Sequence, residues 1–379
     1  MPKYHYFPVI KTRAAELGGY ATIDNDILKS ILPTFELTKT RLSRRNGIPR
    51  HPDIENHISK ITGLTKNSKF ILDITDDEAL LDNQLRDLKN PQDGYKNWVS
   101  FLKRDSVVKN VIPSLMIDTR FISDVKKEIK ILSSQFKTIA VKIPFFTFKK
   151  NYNSSSIFNI NNREFNEGID ILIAFIESNM QSGSTLLIFL DLGYIPSDDN
   201  LDTYISQISE SMKKITTKKR NVALLLSSFP SYVLEVCDNE NEDNFQCVEN
   251  IFLQKFCKDN NLLYADYASI HPVKYPTGGG GWIPRIDFIS SDEKEFLYFR
   301  YKDDGDLSGY KKAAQMVLNC PKYKPIQGLS SFGDEEIKKA AKQVPSGLSP
   351  IFWIKVRMNL FMTRKVISLK KVKANYFEL

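Results

Sequence analysis

No apolar run in this chain approaches 18 residues, and no basic start leads into a long apolar core. A membrane-spanning helix and a secretory leader are therefore not expected, and the location to expect is cytoplasmic. Cysteine and histidine are scarce. Cys237, Cys247, Cys257 and Cys320 form no CxxC pair, and His5, His51, His57 and His271 form no HxH or HExxH. The spacing suits neither a zinc knuckle nor a stapled secreted scaffold, a His/Cys metal site is not expected, and the cysteines read as reduced core filler. No Ser–His–Asp triad can be assigned, because only His271 falls near a strand end, where it reads as an exposed loop residue. No GxGxxG follows the first strand, which disfavours a doubly wound nucleotide fold. Gly278–Gly281 lack the GK[ST] of a phosphate loop and read as a flexible linker.

Charge of one sign is also never blocked. The formal charge is +8, from 53 basic and 45 acidic residues, and the densest runs are "KKITTKKR" (213–220) and "RKVISLKKVK" (364–373). That permits a polyanionic partner. Without a basic stripe interleaved with aromatics, direct nucleic-acid binding ranks third among the functional readings.

Short apolar runs of strand length are abundant: "YFPVIK" (6–11), "ILPTFEL" (31–37), "KFILDIT" (69–75), "VIPSLMID" (111–118), "TIAVKIP" (138–144), "TLLIFLDLG" (185–193), "NVALLLSSF" (221–229) and "LLYADY" (262–267). Helical patterns separate them, at 123–136, 163–180, 200–215 and 244–259. Strand and helix in alternation mean parallel pairing with right-handed crossovers. Eight strands over residues 1–270 fit an α/β fold, a (β/α)8 TIM-like barrel. Residues 271–379 read as a C-terminal α+β extension packed on it: a Gly-rich loop, a hairpin over 286–303 turning at "SSDEKE", helices at 307–319 and 333–343, and an apolar-basic tail.

The strand faces refine this reading. In "TIAVKIP", Ile139, Val141 and Ile143 fall on one face and Ala140, Lys142 and Pro144 on the other. In "SLMIDTR", Ser114, Met116, Asp118 and Arg120 share a face. A barrel turns its aliphatic face to the helices and tolerates polar groups inside, near the C-terminal mouth. The strand ends there carry Lys11, Glu36, Asp73, Asp118 with Arg120, Lys142, Asp191, Ser227 with Ser228, and Asp266 with Tyr267.

Such a ring serves chemistry or forms a salt-bridge belt. As chemistry, Glu36, Asp191, Asp266 and Lys142 are the catalytic candidates. Lys11, Asp73, Asp118, Arg120, Ser227, Ser228 and Tyr267 are the ligand-binding ones. Paired carboxylates suit a glycosidase, oxygen ligands can hold Mg2+ while Lys11, Lys142 and Arg120 clamp a phosphate, and a buried Lys142 of depressed pKa can form a Schiff base. No cofactor is fixed by the sequence, and no metal ligand set is assigned.

Several segments carry a family resemblance. "YFPVIKTRAAELGGYATI", "ILPTFEL", "LIFLDLG", "SSFP", "YADYASIHP", "YFRYKDDGDLSGYKKAAQMVLN", "LSSFGDEEIKKAA" and "WIKVRMNLFMTRKV" together resemble the phage-type beta-protein family over nearly the whole chain. Lys11, Glu36, Asp191 and Asp266 sit inside matching segments. Asn359-Leu360-Phe361 depart from the family's Asn-His-His, and Trp353-Ile354-Lys355 from its Trp-Arg. The departing positions read as docking or packing sites. The resemblance implies a single globular protein of phages and phage-defence regions, with no established reaction. The first functional reading is an enzyme acting on an anionic or nucleotide-like small molecule. The second is a non-catalytic binding or regulatory subunit whose C-terminal extension docks a protein partner, motivated by the apolar stretch 350–369.

Overall fold

The computed structural model describes residues 3–379 except 41–43, 46–47, 50–52, 67, 105–106, 108, 149–162, 166–167, 198–200, 217–218, 238–240, 258–261, 274–282, 303–305 and 330. The glycines Gly278–Gly281 lie outside the described residues. All eight expected strands form: β1 (Tyr6–Lys11), β2 (Thr34–Leu37), β3 (Phe70–Ile74), β4 (Val111–Pro113), β5 (Thr138–Pro144), β6 (Thr185–Tyr194), β7 (Asn221–Ser227) and β8 (Leu263–Asp266). They make one parallel sheet in the order β4-β3-β2-β1-β8-β7-β6-β5. A bridge between Ser114 and Ala140, with Leu115 N–H donating to the Ala140 carbonyl at 2.8 Å, ties the two edges and curls the sheet nearly into a barrel.

The side-chain period of two decides what lines the inside. Phe7, Val9, Leu32, Ile71, Ala140, Phe189, Leu225 and Ala265 pack together as an inner core. Their neighbours Tyr6, Ile10, Phe35, Leu72, Ile139, Val141, Ile143, Leu224 and Tyr264 join the helix-facing core. The split in β5 is the one the sequence indicated. In β4 the strand ends at Pro113, so the alternation read through Asp118 and Arg120 fails.

The surrounding helices are α1 (Ala14–Ala21), α2 (Glu55–Thr65), α3 (Gln92–Leu102), α4 (Ile122–Gln135), α5 (Ile169–Asn179), α6 (Leu201–Ile215) and α7 (Val248–Phe252). Helix 244–259 is shorter than its pattern, because Glu242–Gln246 is a strand and only the part from Val248 is helical. Helix 163–180 is likewise shortened, with Arg163–Phe165 in a strand.

Beyond β8 the hairpin appears as β9 (Arg285–Ile289) and β10 (Glu295–Arg300). The Glu242–Gln246 strand pairs with β10, so the late hairpin shares a sheet with earlier chain. Helices α8 (Asp306–Asn319), α9 (Phe332–Ala341) and α10 (Pro350–Lys371) follow. Helix α10 packs on α1, β1, β9 and α9, which buries Trp353, Val356, Met358, Leu360, Phe361, Met362, Val366 and Leu369. The apolar stretch that motivated a docking role is mostly covered by its own chain. Asn359 fastens this packing, donating to the Thr22 carbonyl at 2.8 Å and accepting from Gly333 N–H at 2.9 Å.

Gly333 permits the close approach of α9 to α10, since a Cβ there would lie 2.5 Å from Leu360 Cγ and 3.0 Å from the Val356 carbonyl oxygen. Gly333→Ala is expected to lower the melting temperature. Overpacking of about 1 to 3 kcal/mol outweighs the roughly 1 kcal/mol gained in helix propensity. An unchanged melting temperature would show that α10 can shift freely.

Candidate functional site at the sheet mouth

Parallel register sets three charges abreast, with Lys11 opposite Glu36 and Glu36 opposite Asp73. Glu36 is the fixed centre. Its Oε2 lies 2.6 Å from Lys11 Nζ, and its Oε1 accepts from Lys142 Nζ. Lys142 reaches past the short β4 to Asp73 Oδ2 at 3.2 Å and Asp76 Oδ2 at 3.5 Å. Lys89 Nζ also holds Asp76, at 2.6 Å. Lys11, Glu36 and Asp73 are buried and Lys142 is half-buried, whereas the Asp76 side chain is 67 % exposed.

Asp191 stands on the same inner face, half-buried, at a break in β6. The pairing of β6 with β7 slips between Asp191 and Gly193, and Gly193 adopts φ +66, a conformation that glycine takes without strain. The Asp-Leu-Gly sequence thus bends the strand end and returns Gly193 N–H to Asp191 Oδ1 at 2.9 Å. Tyr267 OH donates to Asp191 Oδ2 at 2.6 Å, and the Tyr267 ring lies 5.3 Å from Lys11 Nζ.

These surroundings separate the acids. Burial pushes the Glu36 carboxyl up, but Lys11 and Lys142 overcome it and hold the group down at about 2. Burial raises Asp73 and Asp191 from their ordinary values, Lys142 opposing it in both. Burial also pulls Lys142 down, yet Asp73, Glu36 and Asp76 lift it well above an ordinary amine. A Schiff base requires a depressed amine, so Lys142 does not suit that role.

The remaining candidates go elsewhere. Asp266 and Ser228 point outward, because each is one residue out of phase with an inward neighbour. Asp266 accepts from Tyr6 OH at 2.5 Å, Tyr264 OH at 2.7 Å and Ala268 N–H at 2.7 Å, and burial pushes its carboxyl up to about 7. Ser228 is bonded to the buried Glu249. Ser227 faces inward, but its hydroxyl is engaged by Phe229 N–H at 3.1 Å. Asp118 and Arg120 pair with each other at 2.6 Å beyond β4, where the Arg120 side chain is 81 % exposed. His271 is buried rather than exposed, with its ring 4.8 Å from that of Tyr194.

Two contributors were missed from the sequence. Asp76 follows the end of β3 by two residues, and Glu16 in α1 accepts from Lys11 N–H at 2.8 Å. The run "DITDDE" was the available signal for the first. Among the described residues no group of three or more His, Cys, Asp or Glu is placed to hold a metal ion. Depressions of about 440 and 400 Å3 lie away from the mouth, the first lined by Cys247 and Ile251 among others and the second by Glu177 and Arg220. Among the described residues no helix is long and apolar enough to cross a membrane.

A family model described as Beta protein matches residues 6–367. The chain is 28% identical over 368 residues to the protein called Protein beta of Enterobacteria phage P4, covering 96% of this chain and 93% of that one. No solved structure gives a significant match.

Proposed function

The chain belongs to the Beta protein family, and from that premise we propose that it is a phage-type barrel protein that binds a small, hydroxyl-rich molecule at the mouth and transfers a proton to or from one of its oxygens. The observation that carries this reading is the division of labour among neighbouring acids. Glu36 is locked in the ionised state by two lysines, while Asp191 keeps its proton to higher pH and is the least buried of the inward carboxyls apart from Asp76. Carboxyls driven apart in this way are the usual signature of an acid/base assignment.

In this reading Asp191 exchanges the proton, Tyr267 and Gly193 orient it, and Asp73 is the second proton-holding carboxyl. Lys142, fixed by Glu36, stabilises negative charge developing on the reacting oxygen. Three lysines, Lys11, Lys89 and Lys142, face four carboxyls here, Glu36, Asp73, Asp76 and Asp191. The mouth itself therefore offers an anion little net attraction and favours the neutral, nucleoside-like part of a ligand. The phage or defence setting suggested by the sequence stays with this proposal.

The test is thermal denaturation of the wild type and Asp191→Asn against nucleosides, sugars, nucleotides and short nucleic acids. A compound at about 100 times its dissociation constant adds roughly 2.7 kcal/mol, a shift of a few degrees. The expected result is a shift with a hydroxyl-rich compound that is lost in Asp191→Asn. No shift with any compound, or an equal shift in the variant, would remove the proposal.

A further inference from the structure

We propose that Asp266, which points away from the mouth, is a positioning residue for the Asp191 carboxyl and acts on it through Tyr267. That Asp191 exchanges a proton with a ligand rests on the mouth reading; the contact from Asp266 to Asp191 needs no ligand. Asp266 is 0 % exposed, so it meets no ligand directly. Its two oxygens collect three donors, from β1, from β8 and from the turn beyond β8. Tyr6 OH lies at 2.5 Å, Tyr264 OH at 2.7 Å and Ala268 N–H at 2.7 Å. Burial above all raises both phenols well beyond the ordinary tyrosine value, so each keeps its proton and donates.

The bond from Ala268 ties this carboxylate to the mouth. Ala268 and Ser269 follow β8 with φ +51 and +62, a left-handed backbone that is costly for residues with a side chain. Such a conformation persists only where its surroundings hold it. The buried Ser269 hydroxyl has no hydrogen-bond partner among the described residues, so it does not hold the turn. Two bonds do: Ala268 N–H to Asp266 Oδ1, and Ile270 N–H to the Tyr267 carbonyl at 2.9 Å. Tyr267 leaves the sheet between these anchors. Its own N–H donates to the Leu226 carbonyl at 3.3 Å, and its hydroxyl reaches Asp191 Oδ2 at 2.6 Å. Burial raises the Asp191 carboxyl, Lys142 opposes that most, and the Tyr267 hydroxyl comes next. The aim of Tyr267 therefore sets how readily Asp191 gives up its proton, and the bonds behind it fix that aim.

The test is NMR of the full chain isotope-labelled at its aspartate carboxyls, titrated without ligand, with the Asp191 signal identified by its absence in Asp191→Asn. A double-mutant cycle separates this route from general loosening. Asp266→Ala is expected to raise the Asp191 midpoint in the wild-type background and to leave it unmoved in Tyr267→Phe, which has already lost the bond. Asp266→Asn keeps the shape but offers one acceptor oxygen instead of two. It is expected to give the same pattern with a smaller shift, and it decides the matter if Asp266→Ala does not fold. A lower melting temperature with an unchanged Asp191 midpoint, or a midpoint that moves equally in both backgrounds, overturns the proposal. The two ideas fail separately. Absence of any ligand-induced stabilisation removes the mouth reading and leaves the cycle intact, whereas a failed cycle beside a ligand shift lost in Asp191→Asn removes only the positioning role.

Discussion

Glu36→Gln is expected to destabilise the protein by about 3 to 5 kcal/mol at pH 7, since removing one partner leaves buried charge uncompensated. It strips Lys11 and Lys142 of the carboxylate they share. It should also change the acid limb of stability. The folded value of Glu36, about 2, lies below the ordinary 4.5. Its contribution is therefore complete above pH 4.5 and is lost as pH falls toward 2. The interval corresponds to about 3 kcal/mol. Chemical denaturation across that range checks the point: wild type should lose this increment and Glu36→Gln should not. Parallel curves would show that Glu36 is not the fixed centre of the mouth.

Lys142→Met has a comparable effect with the opposite pH signature. Lys142 holds Asp73, and no other ion pair to Asp73 is present among the described residues. Its loss leaves a buried carboxylate unpaired at a cost of about 3 to 5 kcal/mol. The carboxyl then titrates still higher than in wild type. A group raised in the folded state stabilises it below the unfolded value and loses that contribution as pH rises through the folded value. Lys142→Met should therefore regain stability more steeply than wild type as pH falls from 7 toward the ordinary carboxylate value, and should lose any ligand-induced shift. A variant equally impaired throughout that range would mean that Lys142 acts through packing of its aliphatic stem.

The strands were legible because each is a short branched run closed by a polar residue, and hydrophobic burial on both faces of a parallel sheet demands that pattern. Register was not. Asp266 and Tyr267, or Ser227 and Ser228, are neighbours that a pleat sends to opposite faces. Sequence named both members of each pair, and the structure takes Tyr267 and Ser227 inward. Helix α10 was unreadable for another reason: it is buried nearly all round, with Arg357 and Lys365 enclosed among Met358, Phe361 and Val366. A helix covered on several sides has no polar face to mark its period. The strand at Glu242–Gln246 was absorbed into the helix pattern after it, because its pairing partner β10 lies some fifty residues away in sequence.

The most direct test of the mouth as a reactive site is the stability of Asp191→Asn, measured by denaturation from pH 4 to pH 7 without ligand. Burial raises the Asp191 carboxyl, so at pH 7 its ionised form costs the folded state stability. Asparagine removes that cost and can still pair with Gly193 and Tyr267. The account expects the variant to be as stable as wild type or more stable at pH 7, with the difference shrinking toward pH 4. A loss at pH 7 as large as that of Glu36→Gln would contradict it and make Asp191 one more link in a structural belt.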